Sequence, residues 1–328
     1  RSSSSAPWSD GAPMGALPLD LQLLLSPPVL ALLGLCIGSF LNVVIHRVPL
    51  LMERQWWAEV AGHLLDGDAW RRVFAPKDGS AQPSAEHQRT AQALGQSVEA
   101  LPELSVVRPR SRCPSCGHVL RWHENFPVFS WLFLKARCSA CGTRISARYP
   151  LIELATALLF GAIAWRFGAQ PVALAWCAFA ACLVALAMID WDTTLLPDSM
   201  TLPLLWGGLV AAALGWTIPL ASALWGAVAG YLSLWSVYQL FKLTTGKEGM
   251  GHGDFKLLAA LGAWLGWQML VPIILAASVI GAVVGIAMKI TGQLREGRYV
   301  PFGPFLAGAG LSVMLIGAPT VLAWIGWT

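Results

Sequence analysis

Apolar runs of about 20 residues recur from one end of this chain to the other, and they limit what it can fold into more than any other feature. A run of that length crosses a hydrocarbon layer of about 30 Å as a single helix. The runs fall at 28–48, 150–167, 172–190, 199–216, 218–243, 254–268, 271–291 and 304–326. Only 12% of the residues are charged, against about 25% in soluble domains. The expected fold is an all-α polytopic membrane protein of about eight transmembrane helices. The first run is too long for a secretory leader and lacks a small-residue cleavage site; Asn42, His46 and Arg47 continue it instead. Seventeen tryptophans suit a protein anchored at bilayer interfaces.

Charge divides the chain into parts. Residues 49–149 hold 13 Lys/Arg and 9 Asp/Glu, a net of +4, and the remainder holds 9 of each. The expected organisation is an N-terminal tail at 1–27, a first span at 28–48, a polar insert at 49–149 and a transmembrane block at 150–328. So small a basic excess argues for a solvated, membrane-adjacent surface and against nucleic acid as a partner. Arg47, Arg144, Arg148, Lys242, Lys247, Lys256, Lys289, Arg295 and Arg298 fall on one side of an alternating eight-span topology. The opposite turns carry only Arg166. By the positive-inside rule the basic side is cytoplasmic and both termini lie outside.

Within the insert, 53–74 reads as an amphipathic helix with a break at Gly67, and 76–103 as a flexible loop. Cys113-Pro114-Ser115-Cys116 and Cys138-Ser139-Ala140-Cys141 follow, with 21 residues between the pairs and a glycine after each. Each C-x-x-C turn aims two thiolates at one point, and two such turns make a closed four-cysteine zinc site. Two disulfides are the alternative, and a reducing cytoplasm disfavours them. Four protein ligands leave no open position, so the metal is expected to be structural. His118 and His123 beside the first turn read as solvent-exposed. Cys36, Cys177 and Cys182 lie in apolar spans and read as packing residues.

Carboxylates are scarce outside the insert, which makes 246–254 notable: four glycines precede Asp254 as apolar sequence resumes. The topology puts Asp254 at the start of one span and Asp190 at the end of another, on the same face. Asp192 and Asp198 lie close by in sequence. Read singly, Asp254 and Asp198 are N-caps, and Asp190 and Asp192 an ordinary helix end. Read together, Asp190 and Asp254 are two acids at one depth. In the arrangement of aspartic proteases one such acid holds a proton and the other activates water. An ion-coupled transporter would place its acids near mid-membrane and repeat its two halves, and neither feature is found. A zinc-bearing adaptor would leave the glycine–aspartate loop without a purpose.

The motifs in this order resemble those of the bifunctional type IV prepilin peptidases, membrane aspartic proteases of the G-x-G-D type. They are Gly38-Ser39-Phe40-Leu41-Asn42 with His46-Arg47-Val48-Pro49, the paired C-x-x-C turns, Arg148-Tyr149-Pro150-Leu151-Ile152-Glu153, Asp190 with Leu195-Leu196-Pro197-Asp198, Gly251-His252-Gly253-Asp254, and Pro301-Phe302-Gly303-Pro304. The resemblance implies cleavage of the leader from prepilins and pseudopilins at the cytoplasmic face of the bacterial inner membrane. It implies Asp190 and Asp254 as the catalytic pair and the four cysteines as the zinc site. It also implies methylation of the new amino terminus with S-adenosylmethionine, in support of type IV pilus assembly or type II secretion. No glycine-rich dinucleotide fingerprint marks a methyl-donor site. Asn42, Glu124, Asn125 and Glu153 are its candidate polar contacts, and they read equally as a helix contact, surface loop residues and a buried hydrogen bond. His252, the variable residue of G-x-G-D, reads as a bystander.

Overall fold

A computed structural model describes residues 18–74, 82–292 and 300–327. Every regular element among them is helical: α1 Leu19–Leu24, α2 Pro27–Leu65, α3 Gly67–Phe74, α4 Ala85–Glu99, α5 Phe129–Phe133, α6 Arg148–Phe167, α7 Val172–Thr193, α8 Asp198–Ala213, α9 Leu220–Thr245, α10 His252–Leu265, α11 Leu270–Ile290, α12 Gly303–Ile316 and α13 Ala318–Trp324. They group into two compact units, residues 46–120 and the remainder of the chain.

The unit of 46–120 is organised around one buried cation. Arg47 donates to the backbone carbonyls of Ser105, Val106 and Pro109 at 3.0, 3.1 and 2.6 Å. Arg54, two turns on, donates to the carbonyl of Pro102 at 2.8 Å. These bonds tie the chain after α4 back to α2. Buried alanines pack α4 itself, Ala91 on α4 and Ala61 on α2, and Gly95 also faces Ala61. Ser84 caps α4 by accepting the amide of His87. The expected loop over 76–103 is therefore corrected: most of its described part is the helix Ala85–Glu99. The contact of Gly95 with Ala61 joins positions far apart in sequence and leaves no apolar run. The expected break near Gly67 is present, between α2 and α3. Within the expected tail of 1–27, the described residues from 18 onward hold α1 and the first residue of α2.

The other unit carries the membrane helices. Among the described residues five helices are long and apolar enough to cross a bilayer, or six if the α12–α13 pair, bent by 104°, counts as one broken span. This count leaves the expected eight unconfirmed. α8 has 16 residues and α10 has 14, so α10 is only about 21 Å long at 1.5 Å per residue. A helix that short cannot face lipid across the whole core; it must be enclosed by longer ones. Accordingly Asp254, Phe255 and every residue from 257 to 265 are buried. Arg295 and Arg298, two of the residues used for orientation, lie outside the described residues.

Glycines set the closest contacts. Gly226 on α9 and Gly262 on α10 meet backbone to backbone, so that a methyl on either would overlap the other's carbonyl. Gly230 faces Leu258 one turn along. On the other side of α10, Trp264 donates to the buried carbonyl of Leu204 on α8 at 2.8 Å and lies against Gly208. Gly34 and Gly38 of α2 are in similar contact with Ala157 and Glu153 of α6. Small residues spaced by four draw transmembrane backbones together, where dispersion and not water drives association.

These contacts generate a stability test. Gly262→Ala should destabilise the protein by about 1–3 kcal/mol, the usual cost of overpacking, and lower its thermal midpoint in detergent. Gly308→Ala on α12 meets open space and should leave the midpoint unchanged or slightly raised. Equal midpoints for the two variants would count against the α9–α10 contact.

Candidate active site and cysteine cluster

Four helix ends converge where the acids lie. Asp190 occupies the last turn of α7 and is 5% exposed. Its Oδ2 accepts the backbone N–H of Gly303, the first residue of α12, at 3.0 Å. Helix-terminal amides have no partner within their own helix, and here the carboxylate supplies one. Asp254 is the third residue of α10 and is 8% exposed. Its Oδ1 is buried and lacks a hydrogen-bond partner. A buried polar atom is seldom left in that condition, and this one is available to water or to a substrate.

Leu196 joins the two acids. A Cβ at Gly253 would fall 2.7 Å from Leu196 Cβ; one at Gly303 would fall 3.3 Å from Leu196 Cδ1 and 2.5 Å from Asp190 Oδ2. One leucine thus packs against the glycine that precedes Asp254 and the glycine that binds Asp190. The two carboxylates are near enough to interact electrostatically.

The neighbouring acids are already engaged. Arg148 makes a two-pronged pair with Asp192 at 2.7 and 2.5 Å. Lys256 binds both oxygens of Asp198 at 2.6 and 2.7 Å. Being partly exposed, each pair contributes at most about 1 kcal/mol. Their role is geometric: they tie the ends of α6, α7, α8 and α10 together on one side. The glycine loop folds back on α9, with Glu248 paired to Lys242 at 2.9 Å and Gly249 under the Phe241 ring. The lysine ammonium holds the exposed Glu248 carboxyl below its ordinary range. His252 is exposed and edges against Tyr238 and Phe255, away from the hydrogen bonds of the acids.

The sulfurs of Cys113, Cys116, Cys138 and Cys141 all lie within 4.8 Å of one another. Thiolates around a tetrahedral ion with metal–sulfur bonds near 2.3 Å sit about 3.8 Å apart, so this set fits a zinc-sized ion. Each pair sits in a tight turn closed by its glycine: Gly117 N–H donates to Cys113 and Gly142 N–H to Cys138. His123 is exposed, as expected, while His118 is half-buried. Of the remaining cysteines, Cys177 is buried and Cys182 half-buried, while Cys36 is exposed on α2.

Hydrogen bonds divide the four candidate methyl-donor contacts into two groups. Asn42 on α2 donates to the carbonyls of Gly38 and Tyr149, both at 3.2 Å. Glu153 on α6 accepts the amide of Val128 at 2.7 Å and the hydroxyl of Ser39. These two therefore share the α2–α6 contact. Glu124 lies in the 3-10 turn Trp122–Asn125, where it accepts the Arg121 amide at 2.8 Å and the Ser139 hydroxyl at 2.5 Å. One oxygen thus closes its own turn, and the other joins that turn to the second cysteine pair. Asn125, beside it, is exposed.

Gly303 and Leu196 are the parts of this site to which the sequence assigned no role. Both lie within motifs that stand out in the chain. The role of Gly303, however, belongs to its backbone amide and a missing side chain, which no residue type announces.

Comparison with known proteins accounts for this arrangement. Residues 32–167 match the Bacterial Peptidase A24 N-terminal domain, and residues 177–286 match the Type IV leader peptidase family. The Prepilin leader peptidase/N-methyltransferase of Stutzerimonas stutzeri is 48% identical over 285 residues, covering 87% of this chain and 89% of the relative. The proteins of that name from Aeromonas hydrophila and Burkholderia pseudomallei strain 1026b are 47% and 46% identical, with 87% and 95% of this chain covered and 89% and 91% of theirs. No solved structure gives a significant match. With both domains matched in order and nearly half the residues identical over most of its length, the chain belongs to the type IV leader peptidase family.

Proposed function

We propose that this chain is a membrane aspartic endopeptidase that cuts the leader from prepilins or pseudopilins through Asp190 and Asp254, and that it then methylates the exposed amino group. The observation that carries this reading is the meeting of two buried carboxylates at the ends of α7 and α10, in a chain of this family.

The chemistry follows from the pair. One carboxyl carries a proton and the other is ionised, because like charges held together do not both ionise freely. The ionised member takes a proton from water as its oxygen attacks the scissile carbonyl. The protonated member donates to the carbonyl oxygen as the tetrahedral intermediate forms. The partnerless Oδ1 of Asp254 suits the face presented to substrate. The Gly303 amide holds Asp190 in place. A helical peptide hides its carbonyls, so the substrate must unwind at the cut, and the glycine-rich backbone before Asp254 leaves room for it.

The ion pairs and the Gly303 bond put the ends of α6, α7, α8, α10 and α12 carrying the acids on one side of the helical unit. Arg148 and Lys256 lie at these ends too, and Lys242 in the last turn of α9, just before the loop that leads to α10. Basic residues mark the cytoplasmic side, which supports an active site facing the cytoplasm of a bacterial inner membrane. There the basic leader of an apolar pilin helix would emerge.

The four cysteines would hold zinc, which crosslinks two turns of the insert and so has a structural role. S-adenosylmethionine supplies an electrophilic methyl group when bound. Glu153, a buried acceptor, suits an ammonium or hydroxyl group of donor or substrate. Asn42 lies on the same α2–α6 contact. Glu124 and Asn125 lie in the turn beside the second cysteine pair, where Glu124 supports the fold.

Three outcomes test the reading. Asp190→Asn and Asp254→Asn, made separately, should each lower leader cleavage by at least about 100-fold while Asp192→Asn retains it; full cleavage by either of the first two would sink the assignment. Gly303→Ala should lower kcat by up to about 100-fold with little change in KM, because its Cβ displaces Asp190; a normal kcat would show that the Gly303 contact does not matter. Cys113→Ser with Cys138→Ser should abolish a bound zinc ion in elemental analysis and impair methylation more than cleavage. Unchanged stability with both activities intact would refute a structural metal.

A further inference from the structure

Residues 121–149 lie before the α6 span and carry a set of apolar side chains that the fold does not cover. Trp122 is 80% exposed, Phe133 84% and Leu132 58%, with Phe126 and Phe129 about half exposed. Patches of this kind mark an interaction site. The backbone is strained to hold them. Val128 has φ 59° and ψ −51°, in the rare hand of the γ-turn, and the Phe129 amide bonds to the Pro127 carbonyl across it. A β-branched residue takes up such a conformation only where its surroundings enforce it.

One hydrogen bond to α6 fixes the level of this segment, and a second ties the segment to the chain just before α6. Val128 donates to Glu153 at 2.7 Å, and the Trp131 indole donates to the carbonyl of Ile145 at 3.2 Å. The 20 residues of α6 extend about 30 Å, the thickness of the hydrocarbon core. The whole helix is needed to cross, so its Arg148 end lies at the membrane surface. Glu153 is about 7.5 Å along from that end. A turn bonded to Glu153 is held within a side chain's length of the boundary between headgroups and hydrocarbon. Aromatic side chains exposed at that level meet lipid, not bulk water.

Charge identifies the lipid. Arg121, Lys135, Arg137 and Arg144 are exposed on this segment, while its single acid, Glu124, is buried. We propose that the face formed by Trp122, Phe126, Phe129, Leu132 and Phe133 is seated in the headgroup layer of the bilayer that α6 crosses, where Lys135 and Arg137 bind anionic phospholipid. The proposal depends on the membrane span and not on the peptidase chemistry. It makes the segment around the second cysteine pair a part of the membrane surface.

The test uses the full chain in liposomes of mixed phosphatidylcholine and phosphatidylglycerol. A photoreactive amino acid replaces Phe133 or, in a second variant that covers a failure of the first to fold, Leu132. Replacement of the lipid-exposed Leu158 of α6 gives the reference. Irradiation followed by mass spectrometry should find phospholipid adducts at 133 as at 158, with phosphatidylglycerol enriched several-fold over its share only at 133. Lys135→Gln with Arg137→Gln should remove that enrichment and leave the adducts. Lipid adducts at 158 but at neither 132 nor 133 would overturn the proposal. So would adducts confined to an added leader-bearing substrate, which would make the face a substrate site. Adducts at 133 without headgroup preference would overturn the assignment of anionic lipid.

Discussion

The contact between Gly226 and Gly262 allows the rest of the site to exist. Asp254 has to begin a helix inside the protein, because a carboxylate facing hydrocarbon is expensive. A helix can stay inside only if others surround it, and α10 with its 14 residues is too short to cross on its own. The backbone approach of α9 closes one side of α10, and Trp264 with its bond to Leu204 closes another. Enclosure and shortness require each other. The short helix ends within reach of other helix ends, and the long ones around it meet the lipid.

Helix ends in turn assemble the acids. A helix interior uses its own amides and carbonyls, whereas its first turn has amides to spare. Gly303 spends one on Asp190, and its missing side chain admits the carboxylate. Leu196 fills the space between Gly253 and Gly303, so the distance between the acids is set by packing and not by a direct bond. The Arg148–Asp192 and Lys256–Asp198 pairs hold the same ends from outside. They are weak as sources of stability but effective as spacers, since each fixes two planar or branched groups.

Much of this could be read from the residues, and the misses have physical causes. Apolar runs identified the helices because hydropathy is a local property, but their number does not count crossings. The run over α10 is apolar because protein surrounds it, and a buried helix and a lipid-facing one look alike in composition. The paired C-x-x-C turns could be read because both thiols of each turn lie within four residues. The helix Ala85–Glu99 could not, since its buried partner Ala61 lies on another helix. Gly34 and Gly38 show the opposite limit: their spacing is visible in the chain, but only the contact with Ala157 and Glu153 gives it a meaning. Asp190 and Asp254 stood out as acids where acids are costly. Gly303 did not, because a backbone amide is common to almost every residue.

The first turns of α6 connect the two chemistries expected of this family. Arg148 reaches Asp192, two residues from Asp190. Glu153, little more than one turn along, accepts from Val128 in the segment that carries the second cysteine pair and from Ser39 on α2. The polar groups nearest the Arg148 end are Asn42, bonded to Tyr149, and Glu153. α6 thus borders both Asp192 and the Asn42–Glu153 contact, and the close packing of Gly34 and Gly38 against it holds it in register with the first helix.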